Sequence, residues 1–213
     1  KKTMERKAVE ISVQKFVMSL ATFAYNILLL MVIAGIIGIG TSSIVAVLGS
    51  AGLAVGLALQ GSLSNLAGGV LILLLKPFRV GDYIITAGAE GTVMSIDIFY
   101  TRIATTDNKV VVIPNGTISN SNVTNTTKQD ERMLVLEFTV SLDANIEEVK
   151  TEIMKLIESN ERILHEMNRC VVVDKLTPVN IKMQAKAWTK SEDYWDVKYL
   201  LLEQISIVLQ GFR

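Results

Sequence analysis

At residues 45–60 the sequence reads VAVLGSAGLAVGLALQ, and this stretch decides the fold. It carries no charge, and small residues alternate with large aliphatic ones. At about 100° per residue on a helical wheel, Leu53 and Leu57 fall on one face, with Ala46 and Gln60 close to them. The opposite face carries three other aliphatic residues, Leu48, Val55 and Leu59. The stretch therefore predicts a helix with two distinct apolar faces.

The two flanks between these faces carry small residues of different kinds. One flank has a ridge formed by Ser50, Ala54 and Ala58. The other flank has a groove formed by Gly49, Gly52 and Gly56. Small residues allow helices to approach closely in lipid, and a ridge that packs into the groove of an identical helix makes a head-to-tail contact, which closes into a ring.

We interpret this helix as one wall of a pore. With Leu53 and Leu57 turned inward, two apolar rings would form a constriction that expels water and blocks ions. Gln60 favours this orientation, because a polar amide at the end of a span is better placed facing water. Two alternatives stay open: a pore lined by Leu48, Val55 and Leu59, and a helical hairpin buried in a larger monomeric bundle.

The helix lies in a region without Asp, Glu, Lys, Arg or His that runs from Phe16 to Leu75. A soluble domain places charges on its exposed elements, so this region predicts a transmembrane part, residues 1–76. Its predicted segments are a span at 16–39, a pore helix at 44–60 and a kinked half-helix at 62–75. Lysines and arginines before the first span and after the half-helix, with none at the turn, put both ends in the cytoplasm.

The half-helix begins after Gly61-Ser62, a pair that favours a kink. We predict Gly61 as a hinge and the Gly68-Gly69 pair as a second flexible point. The polar residues of its first turn and the apolar residues that follow suggest that this helix lies along the membrane surface.

The remaining chain predicts two soluble domains. Residues 77–128 predict a β domain with strands at Tyr83–Ile85, Gly91–Phe99 and Val110–Ile113 and with turns at Asp107-Asn108 and at residues 113–116. Residues 129–213 predict an α+β domain with helices on one face of a sheet. Its predicted order is strand 134–140, helix 146–163, strand 171–176, strand 181–188 and helix 193–209.

Composition excludes several classes of function. The 213 residues have a formal net charge of +0, which leaves no basic excess for nucleic acid. With one cysteine, Cys170, and one histidine, His165, we expect no metal site, and we expect no cofactor. We find no catalytic motif, and Asp97 in a predicted strand suits a local hydrogen bond or ion pair. The sequence therefore does not predict an enzyme.

Three stretches resemble the small-conductance mechanosensitive ion channels of bacteria (MscS-type). Residues 45–69 resemble the pore helix of that family, and residues 76–82 (KPFRVGD) and 111–118 (VVIPNGTI) resemble the two markers in its β domain. The resemblance implies an SH3/Sm-like β domain, a ferredoxin-like α+β domain and a homoheptamer in the bacterial inner membrane, with three spans per subunit and a cytoplasmic cage. It also implies opening by membrane tension and protection of the cell from hypo-osmotic shock.

The family's functional positions map onto this sequence one by one. The gate leucines fall on Leu53 and Leu57, the kinks on Gly61 and Gly69, and a residue implicated in cage contact and desensitisation on Asn65. The packing pairs fall on Ala46, Ser50 and Ala54 against Gly49, Gly52 and Gly56, with Ser50 in place of the usual alanine. The family's first span and its C-terminal barrel strand are expected to lie outside these residues.

We weigh two other classes of function against the channel. A secondary transporter needs a polar site at the membrane midplane and usually a repeated broken helix, whereas the uncharged region offers only scattered polar residues such as Asn26, Gln60 and Asn65. A membrane-anchored scaffold that binds partners through its soluble domains is the other class. The expected partners of the channel are membrane lipids, permeating ions and small solutes, and further copies of the chain.

Overall fold

The computed structural model of the protein describes residues 11–38 and 40–212. The chain divides into two compact units, one up to Gly61 and one from Ser62 onward. The predicted membrane part, residues 1–76, is thus divided at Gly61. Ile39, the last residue of the predicted first span, lies outside the described residues.

The first unit contains two apolar helices, α1 (Ile11–Ile36) and α2 (Ser42–Ala58). Within α1, the segment Gln14–Ile36 is long and apolar enough to cross a membrane. A second span results if α2 and the helix that follows it are counted as one broken span. Neither α1 nor α2 has an acidic residue in its first turn or a basic residue in its last turn.

A break at Leu59 separates α2 from α3 (Gln60–Leu75), and from Ser62 onward α3 belongs to the second unit together with the soluble domains. The predicted pore helix, 44–60, is helical over Ser42–Ala58, and the half-helix predicted at 62–75 begins two residues earlier, at Gln60. Gly68, Gly69 and Ile72 are buried, and Ile72 belongs to the core of the β domain. Burial of this face explains why α3 belongs with the soluble part.

The β domain is a single five-stranded antiparallel sheet with the strand order β4-β3-β2-β1-β5. Its elements are β1 (Tyr83–Thr86), β2 (Ala89–Ile96), β3 (Tyr100–Ala104), β4 (Val110–Pro114), the short helix α4 (Asn115–Ser119) and β5 (Val123–Asn125). The core behind the sheet contains seven buried apolar residues: Ile72, Phe78, Ile84, Val93, Ile103, Ile113 and Ile118.

Three features of the β domain differ from the prediction. The strand predicted at Gly91–Phe99 ends at Ile96, because the Asp97 N–H closes a turn onto the Tyr100 carbonyl at 2.8 Å. Strands β3 and β5 were not predicted. Residues 115–119 were predicted to start with a turn and instead form α4, which follows directly from the extended backbone of Pro114.

The α+β domain follows the predicted order of elements closely. It contains β6 (Glu131–Val140), α5 (Ile146–Ser159), β7 (Cys170–Leu176), β8 (Ile181–Lys190), a 3-10 turn at Ser191–Asp193 and α6 (Tyr194–Gln210). The sheet order is β6-β8-β7, and alternate residues of β8 are buried under the two helices. Helix α5 ends four residues before the predicted Ile163, because Asn160 forms an Asx turn by accepting a hydrogen bond from the Arg162 N–H at 3.0 Å.

Candidate pore helix and half-helix seat

Helix α2 has no buried residue, although it is apolar throughout. The predicted gate residues Leu53 and Leu57 are 66% and 63% exposed. On the opposite face, Val55 and Leu59 are 56% and 55% exposed. An apolar helix that stays uncovered in a single chain needs lipid or another chain as its surroundings.

The glycine flank of α2 is equally open. A Cβ atom placed on Gly49, Gly52 or Gly56 would meet no atom within 4 Å. The single chain therefore gives no steric reason for glycine at these positions. A steric reason would have to come from a surface that this chain does not supply to itself.

The facing flank carries Ser50, the predicted departure from alanine. The Ser50 Oγ donates a hydrogen bond to the Val47 carbonyl of its own helix at 2.9 Å. Because this hydroxyl has an acceptor in its own turn, it needs no partner from a neighbouring helix. Ser50 can therefore occupy a small-residue ridge alongside Ala46 and Ala54 without leaving a polar group unpaired.

Helix α3 packs against the β domain through a surface that we call the half-helix seat, formed by Asp97, Ile98, Asn115, Gly116 and Ser119. Two glycines allow this contact. A Cβ on Gly68 would lie 2.6 Å from the Asn115 carbonyl oxygen and 2.8 Å from the Ser119 Oγ. A Cβ on Gly69 would overlap the Ile98 carbonyl oxygen and lie 2.6 Å from the Asn115 Nδ2.

One hydrogen bond joins α3 to the seat directly. The Gly116 N–H donates to the Asn65 Oδ1 at 2.9 Å. Gly116 is buried, and a Cβ there would lie 2.8 Å from the Asn65 Oδ1 and 2.9 Å from the Ser64 Oγ. Gly116 thus has the same role on the β domain that Gly68 and Gly69 have on the helix: it permits close backbone approach.

The seat is held in shape by Asn115, whose side chain is completely buried. Its Oδ1 accepts from the Thr101 hydroxyl at 2.8 Å, while its Nδ2 donates to the Asp97 carbonyl at 2.8 Å and the Ile98 carbonyl at 3.1 Å. The amide group therefore uses both its oxygen and its nitrogen. It ties α4 to β3 and to the 97–98 turn, which is the part of the seat that Gly69 contacts.

An ion pair supports the same turn. The Asp97 carboxylate lies 2.8 Å from the Arg102 guanidinium, and both side chains are about half exposed (45% and 50%). This agrees with the local role predicted for Asp97. An exposed pair of this kind contributes at most about 1 kcal/mol, so the buried amide of Asn115 is the main support of the seat.

The predicted hinges lie inside helix α3. The backbone break is at Leu59, and α3 runs from Gln60 to Leu75 through both Gly61 and Gly69. A Cβ on Gly61 would meet nothing within 4 Å, whereas Gly69 is packed against the seat. Close packing is therefore a second reason for glycine at Gly69, in addition to the predicted kink.

Sequence reasoning missed Asn115, Gly116 and Thr101 as members of the site. The first two were assigned to a turn, and Thr101 lies in a strand that was not predicted. The available signal was the 111–118 marker, which contains Asn115 and Gly116. Nothing in the sequence linked that marker to Asn65 or to the glycine pair of α3.

Two groups of the β domain have shifted pKa values, and neither belongs to the seat. Burial, followed by the nearby charge of Glu90, raises the pKa of Tyr83. Hydrogen bonds from Lys109 and then Thr105 lower the pKa of the exposed Asp107 carboxyl. Asp107 and Lys109 close the turn between β3 and β4, as predicted for residues 107–108.

Comparison with known proteins identifies this arrangement. Residues 61–128 match the family model described as mechanosensitive ion channel, beta-domain, and residues 134–210 match mechanosensitive ion channel MscS, C-terminal. An uncharacterized MscS family protein of Buchnera aphidicola subsp. Baizongia pistaciae is 35% identical over 200 residues, which cover 92% of this chain and 71% of the relative. The chain belongs to the MscS family.

Other MscS relatives have more specific names. The small-conductance mechanosensitive channel of Edwardsiella ictaluri is 38% identical over 76% of this chain and 57% of its own length. In three further MscS relatives the matched part is 55% to 59% of their length. The chain thus spans well under two thirds of most of these relatives.

Solved structures of other proteins share this fold. The crystal structure of Helicobacter pylori MscS in the closed state superposes with a TM-score of 0.86 at 30% identity, covering 99% of this chain and 84% of that one. Arabidopsis MSL1 superposes with a TM-score of 0.82 at 18% identity over 96% of this chain and 73% of its own, which shows a shared fold.

Proposed function

We propose that the protein is the pore-forming subunit of an ion channel that membrane tension opens. The observation that carries this proposal is α2, an apolar helix without a single buried residue in a chain of the MscS family. Tension gating and protection from hypo-osmotic shock belong to the proposal. Tension gating is supported by relatives up to 38% identical that are named small-conductance mechanosensitive channels, and protection from shock is what the resemblance implies.

The proposed assembly is a ring of identical chains, with seven as the subunit number implied by the resemblance. Ala46, Ser50 and Ala54 of one α2 pack on Gly49, Gly52 and Gly56 of the next. The open space around these glycines in the single chain supports this packing, because it leaves room for a neighbouring ridge. Two different flanks make each contact head to tail, which closes into a ring.

In this ring Leu53 and Leu57 form the gate. Two apolar collars one helical turn apart make a narrow passage that water leaves, so ions would have to lose hydration to cross. Tension that spreads the lipid-facing helices widens the collars and rewets them. The proposed pivots are Gly61 and Gly69, and Asn65 provides the contact between α3 and the cytoplasmic cage.

The finer fold and location also belong to the proposal. We assign the β domain to the SH3/Sm-like class and the α+β domain to the ferredoxin-like class. The chain is placed in the bacterial inner membrane as a multi-pass protein with its soluble domains in the cytoplasm. Ions and small solutes pass through it, and we propose no enzymatic step, cofactor or nucleic-acid partner.

The experiment is patch recording from giant vesicles that contain the purified protein. Stepwise currents that appear under suction and disappear on its release support the proposal. Solute flux that saturates with concentration without tension would instead indicate a transporter. Absence of current at lytic tension, from protein whose folding is verified by circular dichroism, would indicate a scaffold. A projection image of the particle counts the subunits.

A further inference from the structure

The turn that follows α3, residues 76–82, is held rigidly against the β domain. Phe78 at its centre is 1% exposed and is part of the domain core. The Asp82 Oδ2 accepts hydrogen bonds from the Arg79 N–H at 2.8 Å and from the Asn125 Nδ2 at 2.7 Å. The Gly81 N–H donates to the Val93 carbonyl at 2.9 Å. The backbone of this turn is therefore fixed independently of its exposed side chains.

The exposed side chains of this turn and of the end of α3 include two cations and several large apolar residues. Lys76 and Arg79, on either side of the buried Phe78, are both exposed. Beside them Leu74, Leu75 and Val80 are 73%, 75% and 60% exposed. Among the residues that the structure describes, neither cation forms an ion pair. Cations next to exposed leucines suit the surface of a membrane, where an anionic headgroup layer lies directly above an apolar acyl layer.

The backbone of Lys76 is unusual for a lysine. It directly follows the last residue of α3 and has a φ of 48°, in the left-handed region. Glycine is the common residue at this position after a helix, because a side chain is disfavoured there. Backbone outliers of this kind cluster at functional sites, and here the outlier carries an exposed cationic side chain.

We propose that Lys76 and Arg79 bind the phosphate of an anionic phospholipid headgroup, with Leu74, Leu75 and Val80 in the adjoining acyl region. Arginine binds phosphate oxygens through two parallel N–H groups, and lysine adds a flexible point charge. Anionic leaflets attract each lysine or arginine near their surface. This inference rests on the proposed function only in placing the turn at a membrane.

The experiment measures lipid retention by the full chain in detergent micelles that contain equal amounts of phosphatidylglycerol and phosphatidylcholine. Native mass spectrometry gives the ratio of the two lipids bound per subunit. The double variant Lys76→Gln/Arg79→Gln is expected to reduce the preference for phosphatidylglycerol by about thirtyfold. The matched control Lys175→Gln/Lys182→Gln, which removes two exposed cations from the α+β domain, keeps the wild-type preference.

A second variant separates lipid binding from folding. Lys76→Gly relieves the left-handed backbone, so its melting temperature is expected to equal or exceed that of wild type while its preference for phosphatidylglycerol falls. Variant Arg79→Lys keeps a cation and retains part of the preference. A preference lost together with a lower melting temperature in Lys76→Gly would mean that the lysine is structural and would overturn the proposal.

Two other results would also overturn it. One is a preference for phosphatidylglycerol that stays at the wild-type level in the Lys76/Arg79 double variant. This result would mean that the two cations contact an acidic group elsewhere in the assembly, or only solvent, and not the lipid. The other is displacement of phosphatidylglycerol by excess inorganic phosphate, which would make the site a free-phosphate site. Lipid retention is measured without recording current, so the two proposals can fail separately. A protein that binds the lipid at this turn but gives no current would contradict the proposed channel function and leave the lipid site standing.

Discussion

The Asn65 side-chain oxygen accepts a hydrogen bond from the Gly116 backbone N–H at 2.9 Å, across 51 positions of sequence. Gly116 lies in the first turn of α4, where backbone N–H groups lack partners within the helix. Asn65 therefore caps a helix of the β domain from a residue of α3. A single hydrogen bond contributes about 1 kcal/mol net, which is weak enough to break and re-form.

Replacing Asn65 with alanine should weaken the attachment of α3 to the seat. The change removes the acceptor and leaves the Gly116 N–H unpaired, which should cost about 1–3 kcal/mol. Hydrogen exchange on the full chain should show faster exchange at Gly116, and currents under sustained suction should desensitise at a different rate. Asn168→Ala, an exposed asparagine in the α+β domain, is the control. Exchange at Gly116 that matches wild type would contradict the capping role.

Gly69 and Gly56 should respond in opposite ways in the single chain. Alanine at position 69 would overlap the Ile98 carbonyl, so overpacking should cost about 1–3 kcal/mol and displace α3 from the seat. Alanine at position 56 meets no atom of its own chain and improves helix propensity by about 1 kcal/mol.

The same pair of variants tests the ring. If α2 helices pack through their glycine groove, the added methyl group of Gly56→Ala should disturb the contact between neighbouring helices despite the better helix propensity. The variant should then lose subunits from the assembly or open at a different threshold tension. Native mass spectrometry would report the subunit number, and patch recording the threshold tension. A Gly56→Ala protein with wild-type assembly and threshold would remove Gly56 from the helix contact. Unchanged hydrogen exchange of the 97–98 turn in Gly69→Ala would remove Gly69 from the seat.

Local patterns were sufficient for much of the fold. The helices predicted at 146–163 and 193–209 and the strand predicted at 181–188 lie close to α5, α6 and β8, because the residue pattern that favours each element lies within it. The Asp107-Asn108 turn was also predicted, and Asn108 has the positive φ of 62° that asparagine tolerates. These elements depend on neighbours in sequence.

The seat depends on residues far apart in sequence, and this is why the sequence did not reveal it. In the sequence, Gly69 is one of two adjacent glycines, a pattern that indicates a flexible point. Only the structure shows that the Ile98 carbonyl oxygen leaves no space for a side chain at position 69. Strand β3 begins directly after exposed Ile98 and Phe99, so its apolar run merges with that of β2. Which face of α2 lines a pore is set by neighbouring chains, and a helical wheel cannot supply them.

Asn115 should be the residue of the seat that is most sensitive to substitution. Asn115→Ala would leave the Thr101 hydroxyl and the Asp97 and Ile98 carbonyls without their partner in a buried site, which should cost about 3 kcal/mol or more. Hydrogen exchange should rise in both β3 and the 97–98 turn.

Thr101→Val is the matched control for Asn115, since it removes one of these hydrogen bonds and keeps the side-chain shape. It leaves the buried Asn115 Oδ1 without its donor and should cost about 1–3 kcal/mol, less than Asn115→Ala, and the 97–98 turn should stay protected because the Asn115 Nδ2 still holds both carbonyls. Equal exchange in the two variants would mean that the amide of Asn115 does not organise the turn.

The orientation of α2 gives the last prediction, in which a polar residue is placed on each face in turn. Leu57→Ser puts a hydroxyl into the proposed collar, and a wetter constriction should open at lower tension or leak at rest. Leu59→Ser makes the same change at the residue that caps the C-terminus of α2, which the helical wheel places on the opposite face and whose exposure is nearly equal (55% against 63%). It should leave the threshold close to wild type. Patch recordings of both variants measure the threshold against that of a co-reconstituted channel of known threshold. A lower threshold tension in Leu59→Ser with no change in Leu57→Ser would mean that the opposite face of α2 lines the pore. The collar would then be formed by Leu48, Val55 and Leu59.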